Sequence, residues 1–237
     1  MRNILALTSR EVNSIFLSAL AYLLLAVFML FSGIFFYLNM VASRQASMEN
    51  TVGMTLFFFL VGTPLLTMRL MSEEYRTGTI ETLMTAPVTD GQVILGKFFG
   101  ALAFYVFMLL PTLIYVLILA LLGKPDGGVI LSSYVGLFLM GCQFIALGLF
   151  CSALTRHQII SGVLALVMLL VIWVAGFIGE YLLTGGLKPI VEYIGAQQHV
   201  RPFSAGRIAF RNIFYFVSLT CFWLFLSVRV LESKRWR

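Results

Sequence analysis

Long apolar runs separated by short polar stretches set the layout of this chain. The runs fall at about 16–38, 52–71, 96–122, 130–154, 159–178 and 212–230. Each is long enough for a helix to cross the roughly 30 Å hydrocarbon core of a bilayer. Pro64 lies inside the second run, where loss of a backbone donor predicts a kink, and Pro111 lies inside the third. Ahead of the first run, residues 1–14 mix Ile4, Leu5, Leu7 and Val12 with Arg2, Arg10 and Glu11. That pattern predicts a short helix lying in the interface, with Thr8 and Glu11 at capping-box spacing. The first run itself ends in Phe35-Phe36-Tyr37-Leu38, without a small-residue cleavage pattern, so it reads as a retained span rather than a secretory leader.

Two polar stretches carry structure of their own. Between the second and third runs, residues 72–90 hold Glu73, Glu74, Glu81 and Asp90. Gly78 there suits a helix C′ position, because a residue without Cβ enters the left-handed region cheaply. Pro87 disfavours helix at Ala86, so any helix begun after Gly78 is short. Within it Ile80, Leu83 and Met84 fall at i, i+3 and i+4, one face of a helix. Thr89 then opens a new helix with Gln92 as its capping-box partner. The apolar face has two readings: it lies on lipid headgroups or the protein's own underside, or it is a knob for a soluble partner. Burying three such side chains would contribute about 1.5–3 kcal/mol each, enough to anchor a docking site.

The second stretch, 179–211, is interrupted by Gly185, Gly186, Pro189, Gly195, Pro202 and Gly206, too often to span. Pro189 as a first helical residue and Gly195 as a terminator predict one short amphipathic helix, on the opposite side from loop 72–90. Gly123 to Gly128 reads as a plain turn, and Thr155 to Gln158 as a tight loop.

Composition narrows the class. Of 237 residues, 60% are hydrophobic and 11% charged, and the mean hydropathy is +0.99. The expected fold is an all-α integral membrane protein: one transmembrane domain over 1–237, six helices, an N-terminal interfacial helix and no separate soluble domain. The net charge of +6 does not point to nucleic acid, because the basic residues flank apolar spans where the bilayer is the ordinary partner. Six spans put both termini on one side. That side carries ten Lys and Arg against six on the other, which favours cytoplasmic termini. Cys142, Cys151 and Cys221 fall within spans, and no disulfide is expected.

The chemistry that is missing is informative. No Asp, Glu, Lys, Arg or His occurs in 16–38, 52–68, 98–122, 130–154, 159–178 or 213–228. Ion-coupled carriers place ionisable groups at that depth, and a buried metal site needs ligands there. No Gly-x-x-x-x-Gly-Lys-[Ser/Thr] phosphate loop is present, so neither an ATP site nor any other cofactor is expected on this chain. A transporter of this composition borrows its energy from a partner; a membrane scaffold or a channel without an ATPase is the alternative. His199 reads either as a substrate contact on the outer face or as a solvated or packed loop residue. The glycines from Gly141 to Gly148 read as close helix packing or, alternatively, as a ligand passage between protomers.

The loop sequence Glu73-Glu74-x-Arg76-x-Gly78-Thr79-Ile80-Glu81-x-Leu83-x-Thr85-x-Pro87-Val88-Thr89, followed by Gly96-Lys97, resembles the cytoplasmic loop of ABC-2 type permeases. These are the membrane subunits of ATP-binding-cassette exporters, and the likeness is greatest to the gliding-motility permeases. Gln198-His199, Pro202-Phe203, Gly206, Asn212, Tyr215-Phe216 and Val230-Leu231-Glu232-x-x-Arg235-Trp236 are similar to the last third of that subgroup, with Asn212 in place of a family Asp. The family begins with an elbow helix, usually with Pro after the Ser at the bend, where Ala19 follows Ser18 here. The resemblance implies that the loop carries a coupling helix seated in a cleft of a separate ATPase subunit. Glu73, Glu74, Gly78, Thr79, Ile80, Glu81, Leu83, Met84 and Pro87 would be its docking residues. It further implies a second permease half, identical or homologous, and a bacterial plasma membrane location.

Overall fold

In the computed structural model, which describes residues 2–43, 49–80, 87–123, 126–181 and 188–235, the chain is a bundle of α-helices. In order these are α1 (Arg2–Phe16), α2 (Ala19–Ser43), α3 (Glu49–Thr67), α4 (Ser72–Thr77) and α5 (Asp90–Leu109). A 3-10 turn, Leu110–Thr112, joins α5 to α6 (Leu113–Leu122). Then come α7 (Gly127–Leu154), α8 (Gln158–Tyr181), α9 (Lys188–Ile194), α10 (Ala196–Ser204) and α11 (Phe210–Arg235). Six stretches are long and apolar enough to cross a membrane, and no strand occurs among the described residues.

The apolar runs become spans, but the helices outlast them. The third begins at Asp90 rather than Gly96, and the last runs on to Arg235. Helical hydrogen bonding needs no lipid, so it continues past the hydrocarbon edge. Thr89 caps α5 as its spacing predicts: its hydroxyl accepts from the Gln92 amide at 3.3 Å and the Gln92 side chain answers at 3.2 Å. Asp126, expected in a plain turn, instead caps α7 by accepting from the Gly128 amide at 2.8 Å. The Thr8–Glu11 spacing is no cap at all, because both residues lie inside α1. The bend between α1 and α2 forms at Leu17-Ser18 without a proline.

Segment 179–211 departs most from expectation. Gly195 does not merely end α9; it stands at the N-cap of a further helix, α10, which carries Pro202 in its interior. The proline costs one amide near the helix end, where the last turn closes two residues later. Gly206, at φ 78°, then takes the left-handed position, with Arg207 N–H bonding Pro202 O at 2.8 Å and Gly206 N–H bonding Phe203 O at 3.1 Å. That is a glycine-terminated helix end.

At the centre stands α7, against which α3, α5, α8, α10 and α11 all pack. Its span is 72% buried, whereas that of α11 is 17% buried. Glycines allow the approach: a methyl group at Gly141 would overlap the Tyr105 ring, and one at Gly148 would overlap Thr67. The Gly141–Gly148 stripe therefore serves packing inside one chain, not a passage for ligand. We expect Gly148→Ala to destabilise the bundle by about 1–3 kcal/mol, since Thr67 is fully buried and cannot move aside. Thermal unfolding in nanodiscs checks this, with Gly91→Ala, which meets nothing within 4 Å, as the control.

Candidate functional site

The polar loop begins on α4, a helix of six residues that would be marginal alone and is held by its surroundings. Glu73 and Glu74 occupy its first turn, where the helix dipole favours carboxylates. Gly78 ends it at φ 75°, the left-handed C-terminal position expected from the sequence. The turn entering α4 is fastened to α7 by one side chain. Ser152 Oγ accepts from the amides of Met71 (2.9 Å) and Ser72 (3.1 Å) and donates to Met68 O (3.2 Å). Met71 and Ser72 are both fully buried, so those amides have no water to turn to.

On its other side α4 meets α1 and α5 through charge. Lys97, 5% exposed, lies 3.1 Å from Glu11 Oε2 and 3.0 Å from Glu74 Oε1. Arg10 approaches Glu74 at 4.0 Å from the solvent side. The contact of α1 with α5 that brings Glu11 there is intimate: a Cβ on Gly96 would come within 2.6 Å of Leu7 Cβ, and one on Gly100 within 2.6 Å of Glu11 Cβ. Two carboxylates, one buried ammonium and a rim guanidinium balance in charge. Such a group holds its geometry because Lys97, Glu11 or Glu74 left alone would be a largely buried unpaired ion.

A third fastening comes from α11. Lys234 Nζ donates to Ala153 O (2.7 Å) and Leu154 O (3.2 Å), the end carbonyls of α7, and sits 4.1 Å above the Tyr75 ring of α4. Sequence reading assigned no such role to Lys97, Ser152 or Lys234, and gave Glu11 only a capping role. The only available signal was Lys97 itself, a lone cation in the opening turns of an apolar helix.

The candidate docking residues separate into two groups. Glu74 faces inward to Lys97, while Glu73 stays more open and pairs with Arg76 at 3.8 Å. Thr79 bonds the Thr77 hydroxyl at 3.0 Å, and Ile80 packs partly against the core. Pro87 is exposed, and its carbonyl accepts from Asn3 of α1 at 3.4 Å. Glu81, Leu83 and Met84 lie outside the described residues.

On the opposite side His199 is a packing residue. It is 4% exposed, stacks on Tyr215 at 3.9 Å, and reaches Asn212 Oδ1 and Tyr193 O, each at 3.0 Å. Both ring nitrogens are engaged, so the imidazole pins α9 and α10 to α11 and presents nothing to a ligand.

No curated protein matches the chain. The family described as ABC-2 family transporter protein matches residues 64–215, from the last turn of α3 through α4, the polar loop and α5 to α10 into α11. The match takes in the elements that fasten α4 from α5 and α7 and covers well over half of the sequence. With six membrane-crossing stretches around a buried central helix, the chain belongs to the ABC-2 family of transporter proteins and is a membrane-spanning permease.

Proposed function

We propose that this permease is the membrane subunit of an ATP-binding-cassette exporter in a bacterial plasma membrane, with both termini cytoplasmic, and that loop 72–90 docks the ATPase subunit. The gliding-motility permeases are the subgroup its loop and tail patterns resemble. The observation that carries this reading is the fastening of α4. Lys97 ties it to α5 and α1, Ser152 to α7 and Lys234 to α11, so a displacement received beyond Gly78 reaches helices on all sides. A loop that merely connected two spans would gain nothing from anchors on so many helices.

In this mechanism Ile80, Leu83 and Met84 seat in the ATPase, and two permease halves enclose the path. ATP-driven closure of the ATPases pulls both loops together, and α4 carries the movement into the bundle as a short lever. The chain supplies the path and the lever; the partner supplies hydrolysis. The expectation for topology is that a cysteine probe at Gly186 is labelled from outside intact cells and one at Thr85 is spared. The reverse pattern would place the loop away from any cytoplasmic ATPase and end this reading.

A further inference from the structure

We propose that the seam between α2 and α3 is a phospholipid site, with a phosphodiester held at Arg69 and one acyl chain lying in the groove beside it. The site does not rest on ATPase docking, although the docking candidates Glu73, Glu74 and Thr79 also line its charged end.

The seam holds two contiguous hollows of opposite character. The first is an apolar groove of about 460 Å³ at membrane depth, walled by Leu23, Val27 and Phe31 of α2 and by Met54, Val61 and Leu65 of α3. The second is a charged cavity of about 540 Å³ beside α4. They abut on both helices: Leu20 and Ala21 line the cavity where Leu23 and Leu24 line the groove, and Leu66 lines the cavity where Leu65 lines the groove. From Met54 to Leu65 the groove follows about 17 Å of helix, close to one leaflet's share of a roughly 30 Å core.

The charges lining the cavity balance in number, but their pairing leaves Arg69 out. Lys97, Glu11, Glu74 and Arg10 pair with one another, with Glu74 Oε2 left without a hydrogen-bond partner, and Glu73 turns to Arg76 outside the cavity. Arg69 has no carboxylate partner among the described residues. Among the described residues its Nη1 reaches the Ser18 hydroxyl, at 3.4 Å, and its buried Nε meets no hydrogen-bond partner. A guanidinium fork with one donor already desolvated fits a phosphate oxygen, and a phosphodiester carries the single negative charge that would pair Arg69. A helix from a second copy could cover the groove but would leave Arg69 without an anion. Free phosphate could meet Arg69 but would leave the groove open. A phospholipid from the leaflet that meets α4 satisfies both.

The test uses the full chain in nanodiscs with two photoreactive probes. One is a phosphatidylglycerol with a diazirine on its acyl chain; the other is the diacylglycerol with the same chain and no phosphate. Mass spectrometry of the cross-linked peptides should place the phosphatidylglycerol label on 54–65 and on 23–35. Arg69→Gln should lower that label about tenfold, the loss of one charge-assisted contact. Arg69→Lys should retain part of it, and excess inorganic phosphate should not compete. Val61→Trp, at a position 44% exposed, should block the groove while leaving the helical circular dichroism unchanged. Equal labelling by the two probes, or labelling indifferent to both Arg69→Gln and Val61→Trp, overturns the site. Competition by inorganic phosphate would reduce it to an anion site without an acyl chain. A disulfide between copies at Val61→Cys, with no lipid label, would assign the groove to a second copy and likewise overturn it.

Discussion

Lys97→Met should be among the most damaging single substitutions in this protein. The methionine fills the same space but leaves Glu11 and Glu74, whose side chains are only 16% and 12% exposed, without their ammonium. Arg10, at 4.0 Å from Glu74 and mostly in solvent, is too distant and too well screened to replace it. Removing one member of a buried ionic group typically costs about 3–5 kcal/mol. For a chain of this length that corresponds to a melting temperature lower by on the order of 10 °C, read by thermal unfolding in nanodiscs. The triple variant Lys97→Met, Glu11→Gln, Glu74→Gln should recover much of the loss, since no unpaired ion then remains and the contacts are coupled. If Lys97→Met melts with the parent, the ionic group does not hold α4 and the lever loses a main support.

Leu83→Asp should release the ATPase while leaving the bundle intact. Ile80, Leu83 and Met84 form one helical face by spacing, and Leu83 is its middle member. A carboxylate there replaces an apolar anchor and adds an unpaired charge to whatever buries it, which costs about 2 kcal/mol or more. At about 1.4 kcal/mol per tenfold, affinity for the ATPase falls at least roughly thirtyfold. Thr82→Asp, one position back and off the apolar face, is the control and should retain the partner. Co-purification of the ATPase with each variant is the measurement. Equal retention by both variants would show that this face is not the docking element.

The two predictions rest on different kinds of information. The two ends of loop 72–90 were legible in the sequence because their signals are local, while its centre, 81–86, lies outside the described residues. Gly78 closes α4 and Thr89 with Gln92 opens α5, each within a few residues of the partner it needs. The spans were legible for the same reason, since 20 apolar residues in a row state their own environment. The fastening of α4 was not, because Glu11 and Lys97 lie 86 residues apart and only the packing of α1 on α5 brings them together. The pinning of His199 by Asn212 and Tyr193 was equally hidden, although a packed residue was among its readings. Helix α10 was missed for the opposite reason: Pro202 gave a local stop signal, and tertiary packing of His199, Val200 and Phe203 overrode it.

The fastening of α4 also has an order in time. Ser72 leaves the ribosome early, but the hydroxyl that holds its amide belongs to a residue made 80 positions later. At roughly 5–20 residues per second, the turn waits several seconds for Ser152, and longer still for Lys234 near the end of the last span. A nascent chain therefore exposes its loop well before that loop is stiff enough to transmit anything. An ATPase that binds productively only to a fastened loop would join permeases whose last span has packed and pass over those still lacking it, so the contacts proposed to carry force would also report that the bundle has closed.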